Sequence, residues 1–235
     1  MRTSFPFLLI LLFVLGLRPG TAQDLPTALK KMRDRYTQIQ RYGTEVQIDI
    51  YEADRLLQSK RAAIKKDQYH SYYHLDRVKM LLNDRFSILV NDQEKVIVMH
   101  RHEGKLKNVF EEWRGMDPEQ IEALLENYED WEFVAQEEGQ QHYRLFDADG
   151  LIQRIDLFID AEAHTLQRLV YQYQSQGDLA ANRVVVQYQN QSFAPQWSAS
   201  TFSEKQFVYR KGGQWHPQAS YRDYELIEPR PLSDE

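Results

Sequence analysis

The chain has no cysteine. It therefore carries no disulfide, no thiolate metal ligand, no cysteine nucleophile and no lipid-accepting cysteine of the kind bacterial lipoproteins use. Long apolar runs are also missing. The longest, Phe7 to Leu17, holds eleven residues and as a helix would measure about 16 Å, against roughly 30 Å for the hydrocarbon core of a bilayer. No excess of positive charge exists either: 29 basic residues stand against 35 acidic ones, interspersed rather than blocked. That balance argues for solubility and against nucleic-acid partners. No Gly/Ser/Pro-rich linker or fixed-period repeat divides the chain, so a single domain is expected.

Motifs that would declare chemistry are absent as well. There is no G-x-S-x-G elbow, no Gly-rich phosphate loop and no H-E-x-x-H, so nothing in the sequence points to an enzyme. A hydrolase assembled from distant carboxylates stays open as a third reading. Asp147-Ala148-Asp149-Gly150 opens like a calcium loop but lacks the later oxygen ligands. It reads as a hairpin turn with glycine at a positive φ. His70 and His74, and His100 and His102, form two pairs that would suit zinc only if their strands met. As solvent-facing polar positions they need no metal, and neither metal nor cofactor is expected.

What is present begins with Arg2, the apolar run and the small residues Gly20-Thr21-Ala22. This is the order of a secretory signal peptide over residues 1–22, with an uncleaved anchor as the alternative. A secreted domain without disulfides, spanning 23–235, fits a bacterial periplasm. Asp24 and Pro26 open a helix in which Leu25, Leu29, Met32, Tyr36 and Ile39 form one apolar stripe, closed by Gly43 as a C′ residue.

From Thr44 the period changes to two, with Val46, Ile48 and Ile50 alternating with polar residues. Strand patterns follow at 57–66, 68–75, 78–82, 86–90 and 95–100. Asp117-Pro118-Glu119-Gln120 then opens a second helix. Further strands are expected at 131–136, 142–146, 151–159, 165–174, 183–189, 206–211 and 221–227. Tight turns between them imply an antiparallel α+β fold, and so many strands must curl or close. Several strands carry apolar residues on both faces. That surplus suits a groove for an apolar ligand; the plainer account is that the helices fill it.

The order of these parts resembles the LolA-type periplasmic lipoprotein carriers and their superfamily. The likeness starts with the helix 25–42 and the strand 44–51. It continues through 57–75 and Leu81-Leu82-Asn83-Asp84-Arg85-Phe86-Ser87-Ile88-Leu89-Val90. It is clearest over 143–160, Tyr143-Arg144-Leu145-Phe146-Asp147 onward, leading into Leu166–Tyr173. The resemblance implies an unclosed, strongly curved antiparallel half-barrel with two or more helices over its concave face. It also implies a cavity that holds a lipid or the acyl chains of a lipoprotein, and envelope membrane proteins as partners of a monomer. Where the carriers have an Arg-Pro strand and an Arg-Trp-like pair, this chain has Ile64-Lys65-Lys66-Asp67-Gln68-Tyr69-His70, so no lid arginine carries over. Candidates for the lining are Ile48, Ile50, Tyr73, Leu82, Ile88, Val90 and Met99, at alternating strand positions. The rival reading is a sensor or protein-interaction module that uses a sheet edge on the same fold.

Overall fold

The computed structural model describes residues 24–101, 128, 130–147, 150–174 and 182–228. The expected signal peptide, His102 and all of the expected second helix except Tyr128 lie outside them. One α-helix is present among the described residues, α1 (Leu25–Gln38). Asp24 caps it by accepting the Thr27 amide at 2.7 Å, and proline sits in its first turn. The helix stops at Ile39, which is already extended, four residues short of the expected glycine stop. Gly43 instead lies inside the first strand. A Cβ there would fall 2.8 Å from Cη2 of Trp197, so the glycine is required by close packing rather than by a helix end.

The strands run β1 (Arg41–Glu52), β2 (Arg55–Asp67), β3 (His70–Leu75), β4 (Val78–Leu82), β5 (Phe86–Asn91) and β6 (Val96–Arg101), then β7 (Asp130–Glu137), β8 (Gln140–Phe146), β9 (Ile152–Asp160), β10 (Leu166–Tyr173) and β11 (Arg183–Ser192). A small hairpin, β12 (Val208–Lys211) and β13 (Gln214–Pro217), precedes β14 (Glu225–Ile227). Twelve strands form one unclosed sheet in the order β14-β6-β5-β4-β3-β2-β1-β11-β10-β9-β8-β7. Every neighbour is antiparallel except β14, which joins β6 in parallel. The 221–227 segment expected as a strand therefore contributes only its last three residues, after a 3₁₀ turn at Ala219–Tyr221.

Chain order explains the layout. Residues 41–101 form one meander, 130–192 form another, and the first strand of one pairs with the last strand of the other, β1 on β11. The turns use left-handed residues where the hairpins demand them, including Ala53, Gln68, Asp76 and Gly139. Tyr69 falls in such a turn and is exposed, rather than on a strand. Gly150 is not among the positive-φ glycines. Its amide donates to Asp147 Oδ1 at 2.8 Å, and the same carboxylate lies where a Cβ would stand. The expected left-handed glycine is therefore not found at this position.

Two apolar clusters hold the two ends of the sheet, on opposite faces. Leu25 and Ala28 of α1 are buried against Tyr143, Leu145, Leu157 and Ile159 of β8 and β9, with Tyr128 and Trp131 at the margin. At the other end Phe202, Phe207 and Val208 are buried against Leu81, Phe86, Ile88, Val90, Ile97 and Met99 of β4–β6. We call the first side the helix face and the second the tail face. Each fully buried aliphatic side chain contributes about 1.5–3 kcal/mol, so both covers are strongly held.

The tail segment is also tied down by polar contacts. The Trp197 indole donates to Lys66 O at 3.0 Å. Glu204, 4% exposed, takes hydrogen bonds from Arg85 and from Asn83 Nδ2, which also donates to Phe202 O at 3.0 Å. A buried carboxylate needs such partners.

Candidate functional site

Side chains of directly paired residues in a ladder share a face, and successive residues alternate. The registers therefore assign each strand residue to one side. On the helix face one row reads Phe133, Tyr143, Leu157, Leu169, Val186, Ile48 and Lys60 across β7 to β2. A second reads Ile64, Tyr73, Met80, Leu89, Val98 and Ile227 across β2 to β14. Between them Val184, Ile50, Val46, Ala62 and Leu75 extend the same character. On this face every strand of the sheet thus carries apolar residues, from edge to edge.

The tail face is continuously apolar under the tail segment. Farther along it is mixed: Gln47 pairs with Arg61 and Gln187, Arg168 pairs with Gln187 and Phe158, and Val170 and Val185 lie among them. Asp156, 5% exposed, anchors a network there. It accepts from His142 Nε2 at 2.8 Å and Arg144 Nε at 2.9 Å, and pairs with Arg154 at 3.0 Å. Burial raises the Asp156 pKa, but the His142 and Arg144 hydrogen bonds and the Arg154 charge outweigh it and hold the carboxyl below its ordinary range. Phe158 is stacked between the His142 ring at 4.2 Å and the Arg168 guanidinium at 3.7 Å. Ion pairs and ring stacking hold this part of the tail face together.

The covers leave part of the helix face open. α1 packs at β8 and β9, whereas Leu75, Val78, Leu89 and Ile227 are 42%, 39%, 39% and 39% exposed. Ile48, Ile50, Tyr73, Met80, Val184 and Val186 are half-buried. The resulting stretch, from β11 across to β14, is the candidate site: a broad apolar surface whose tyrosines supply polar points. Burial pushes the Tyr73 and Tyr188 phenols up to about 12, so both stay protonated donors at neutral pH.

The seven lining candidates divide between the faces. Ile48, Ile50, Tyr73 and Leu82 lie on the helix face, with Leu82 itself buried. Ile88, Val90 and Met99 lie on the tail face, at 0%, 0% and 3% exposure under the tail segment, and line no open surface. Met80, Leu89, Val98, Val184 and Val186 belong to the open stretch and escaped the sequence reading. Hairpin loop length was the usable signal: the short β3–β4 and β4–β5 turns pair Tyr73 with Met80 and Met80 with Leu89.

The described members of the histidine pairs do not all share a face. His70 and His74 lie on the tail face, His70 at 3.1 Å from Asp84 and His74 Nε2 at 2.9 Å from the Asp76 carbonyl, whereas His100 lies on the helix face. Among the described residues no three His, Asp or Glu side chains come together as metal ligands. No described helix is long and apolar enough to cross a membrane.

No family model matches the sequence, and neither does any curated protein. Solved structures similar to this chain include LolA superfamily proteins. A LolA superfamily protein from Nitrosomonas europaea aligns with a TM-score of 0.33 and 9% identity over 75% of this chain and 98% of its own. An uncharacterised conserved protein from Thermus thermophilus aligns with a TM-score of 0.47 and 7% identity over 86% and 99%. MucB, in the MucA/MucB complex of Pseudomonas aeruginosa, aligns with a TM-score of 0.42 and 10% identity over 77% of this chain and 61% of its own.

Proposed function

We propose that this chain is a periplasmic carrier or binding protein, not an enzyme, that holds a lipid or the acyl chains of a lipoprotein against the helix face of its sheet. One observation carries the reading: a twelve-stranded sheet has apolar residues on one face in every strand, and the stretch from β11 to β14 keeps large aliphatic side chains exposed. Exposed apolar area of this kind marks a binding surface. In this reading the sheet curls around it as a half-barrel, as sheets this wide do. Each acyl CH₂ removed from water contributes about 0.8 kcal/mol, so a chain laid along such a surface is held without any specific polar contact.

Native mass spectrometry of the protein purified from a bacterial periplasm without detergent tests this. The expected result is an added mass of several hundred daltons that organic extraction removes. A clean apo mass, unchanged after incubation with phospholipid and lipopeptide, would overturn the reading.

A protein-interaction module is the second reading, and the open edge favours it. Among the described residues β7 pairs with β8 alone, so its outer backbone groups have no neighbouring strand there. A partner chain adding a strand there would use main-chain hydrogen bonds. Pull-down of a partner that survives delipidation would support it.

A further inference from the structure

The charges on the helix face are unevenly signed. In a chain with an acidic excess, the ladder positions on this face carry Lys60 and Lys66, both on β2. Among the described residues its carboxylates stand only at the rims. Glu52 is at the β1–β2 tip, ion-paired with Arg55, and Glu225 is on the edge strand β14. The nearest acidic residue on β1, Asp49, lies on the other face and accepts from Gln47. Lys66 is buried between Tyr42 and Ser71 in the ladder. Lys60 is half-buried beside Ile48, where β2 runs past the end of β3 and, among the described residues, has β1 alone as a neighbour.

We infer that the ligand of this face is an anionic amphiphile, with its negative head group at Lys60 and its chain along Ile48, Ile64, Tyr73 and Met80. This rests on the lipid reading above and names the class of lipid. Among the described residues no ion pair joins Lys60 to a carboxylate, and a half-buried ammonium on apolar surface is stabilised by a ligand anion. A lysine stem can lie along apolar surface with its amine toward water. The Tyr188 hydroxyl, on the neighbouring row two strands away, offers a second donor. A neutral ligand would use the apolar surface alone. The negative group is a carboxylate, as in a fatty acid, or a phosphate, as in a phospholipid head.

The experiment displaces a bound fluorescent fatty-acid probe from the full chain with three competitors of equal chain length: palmitate, palmitoyl-lysophosphatidylglycerol and monopalmitoylglycerol. The anionic competitors are expected to bind at least about tenfold more tightly than the neutral one, the size of a charge-assisted hydrogen bond. Lys60→Met, which keeps the apolar stem, is expected to remove that preference while leaving the neutral competitor unchanged. Preference for palmitate alone assigns a carboxylate; preference for the lysophospholipid alone assigns a phosphate. Equal binding of all three, or a preference that survives Lys60→Met, overturns this inference and leaves the lipid reading standing. If none of the three binds, the lipid reading falls and this inference with it.

Discussion

Ile88 and Leu89 are adjacent on β5 and face opposite ways, which makes them a direct test of the division between core and site. Ile88 is fully buried among Leu81, Met99 and the tail segment, whereas Leu89 is 39% exposed on the helix face. Ile88→Ala leaves a cavity between the sheet and the tail and is expected to cost about 3 kcal/mol, within the range for large-to-small core changes. For a domain of this size that lowers the melting temperature by roughly 6–12 °C. Leu89→Ala removes a side chain that is already partly wet, so about 1 kcal/mol and a shift of roughly 2–4 °C are expected. Ligand binding should respond in the opposite order. Leu89→Ala takes away about 1 kcal/mol of apolar contact with a bound chain, about fivefold in affinity. Ile88→Ala should leave affinity unchanged below its own melting range. Thermal melting and displacement of a fluorescent fatty acid on the same samples read both quantities. Affinity loss in Ile88→Ala without loss in Leu89→Ala would refute the assignment of faces.

Gly43→Ala places a methyl group within 2.8 Å of the Trp197 ring. It is expected to destabilise the chain by about 1–3 kcal/mol, as overpacking does, and an unchanged denaturation midpoint would contradict the observed seating of Trp197. Asp156 has its pKa lowered in the folded chain, so its ionised form adds stability above the ordinary carboxylate value, and that contribution is lost as pH falls through the folded value. Melting temperature should therefore drop more steeply below about pH 4 in the natural chain than in Asp156→Asn, and parallel curves would show that the network around Asp156 does not act as described.

The strand positions were largely legible because a period of two is written locally. Val46, Ile48 and Ile50 declare an alternating strand without any partner, and the helix at 25–38 declares itself through Asp24, Pro26 and one apolar stripe. Gly43 misled because glycine serves both as a helix stop and as a site of close approach. Only Trp197, far along the chain, distinguishes the two. The lining set divided for a related reason. Alternation tells which residues share a side within one strand, but the side itself is relative until hairpin registers connect it to the next.

Sequence alone determined that the chain is β-rich with an amphipathic N-terminal helix, and that its strands hold more apolar residues than one buried face requires. The surplus was visible because apolar residues appear at both parities, as in Tyr72 and Tyr73 or Ile88 and Leu89. Only the tertiary structure decided how the surplus is used. The tail segment, 193–227, returns over β4–β6 and buries one parity there, while α1 covers the other parity at β8 and β9. The two covers sit on opposite faces at opposite ends of the sheet. Burial is a property of what lies across from a residue, and residues such as Phe202 and Leu81 meet across more than a hundred positions of chain that no local pattern spans.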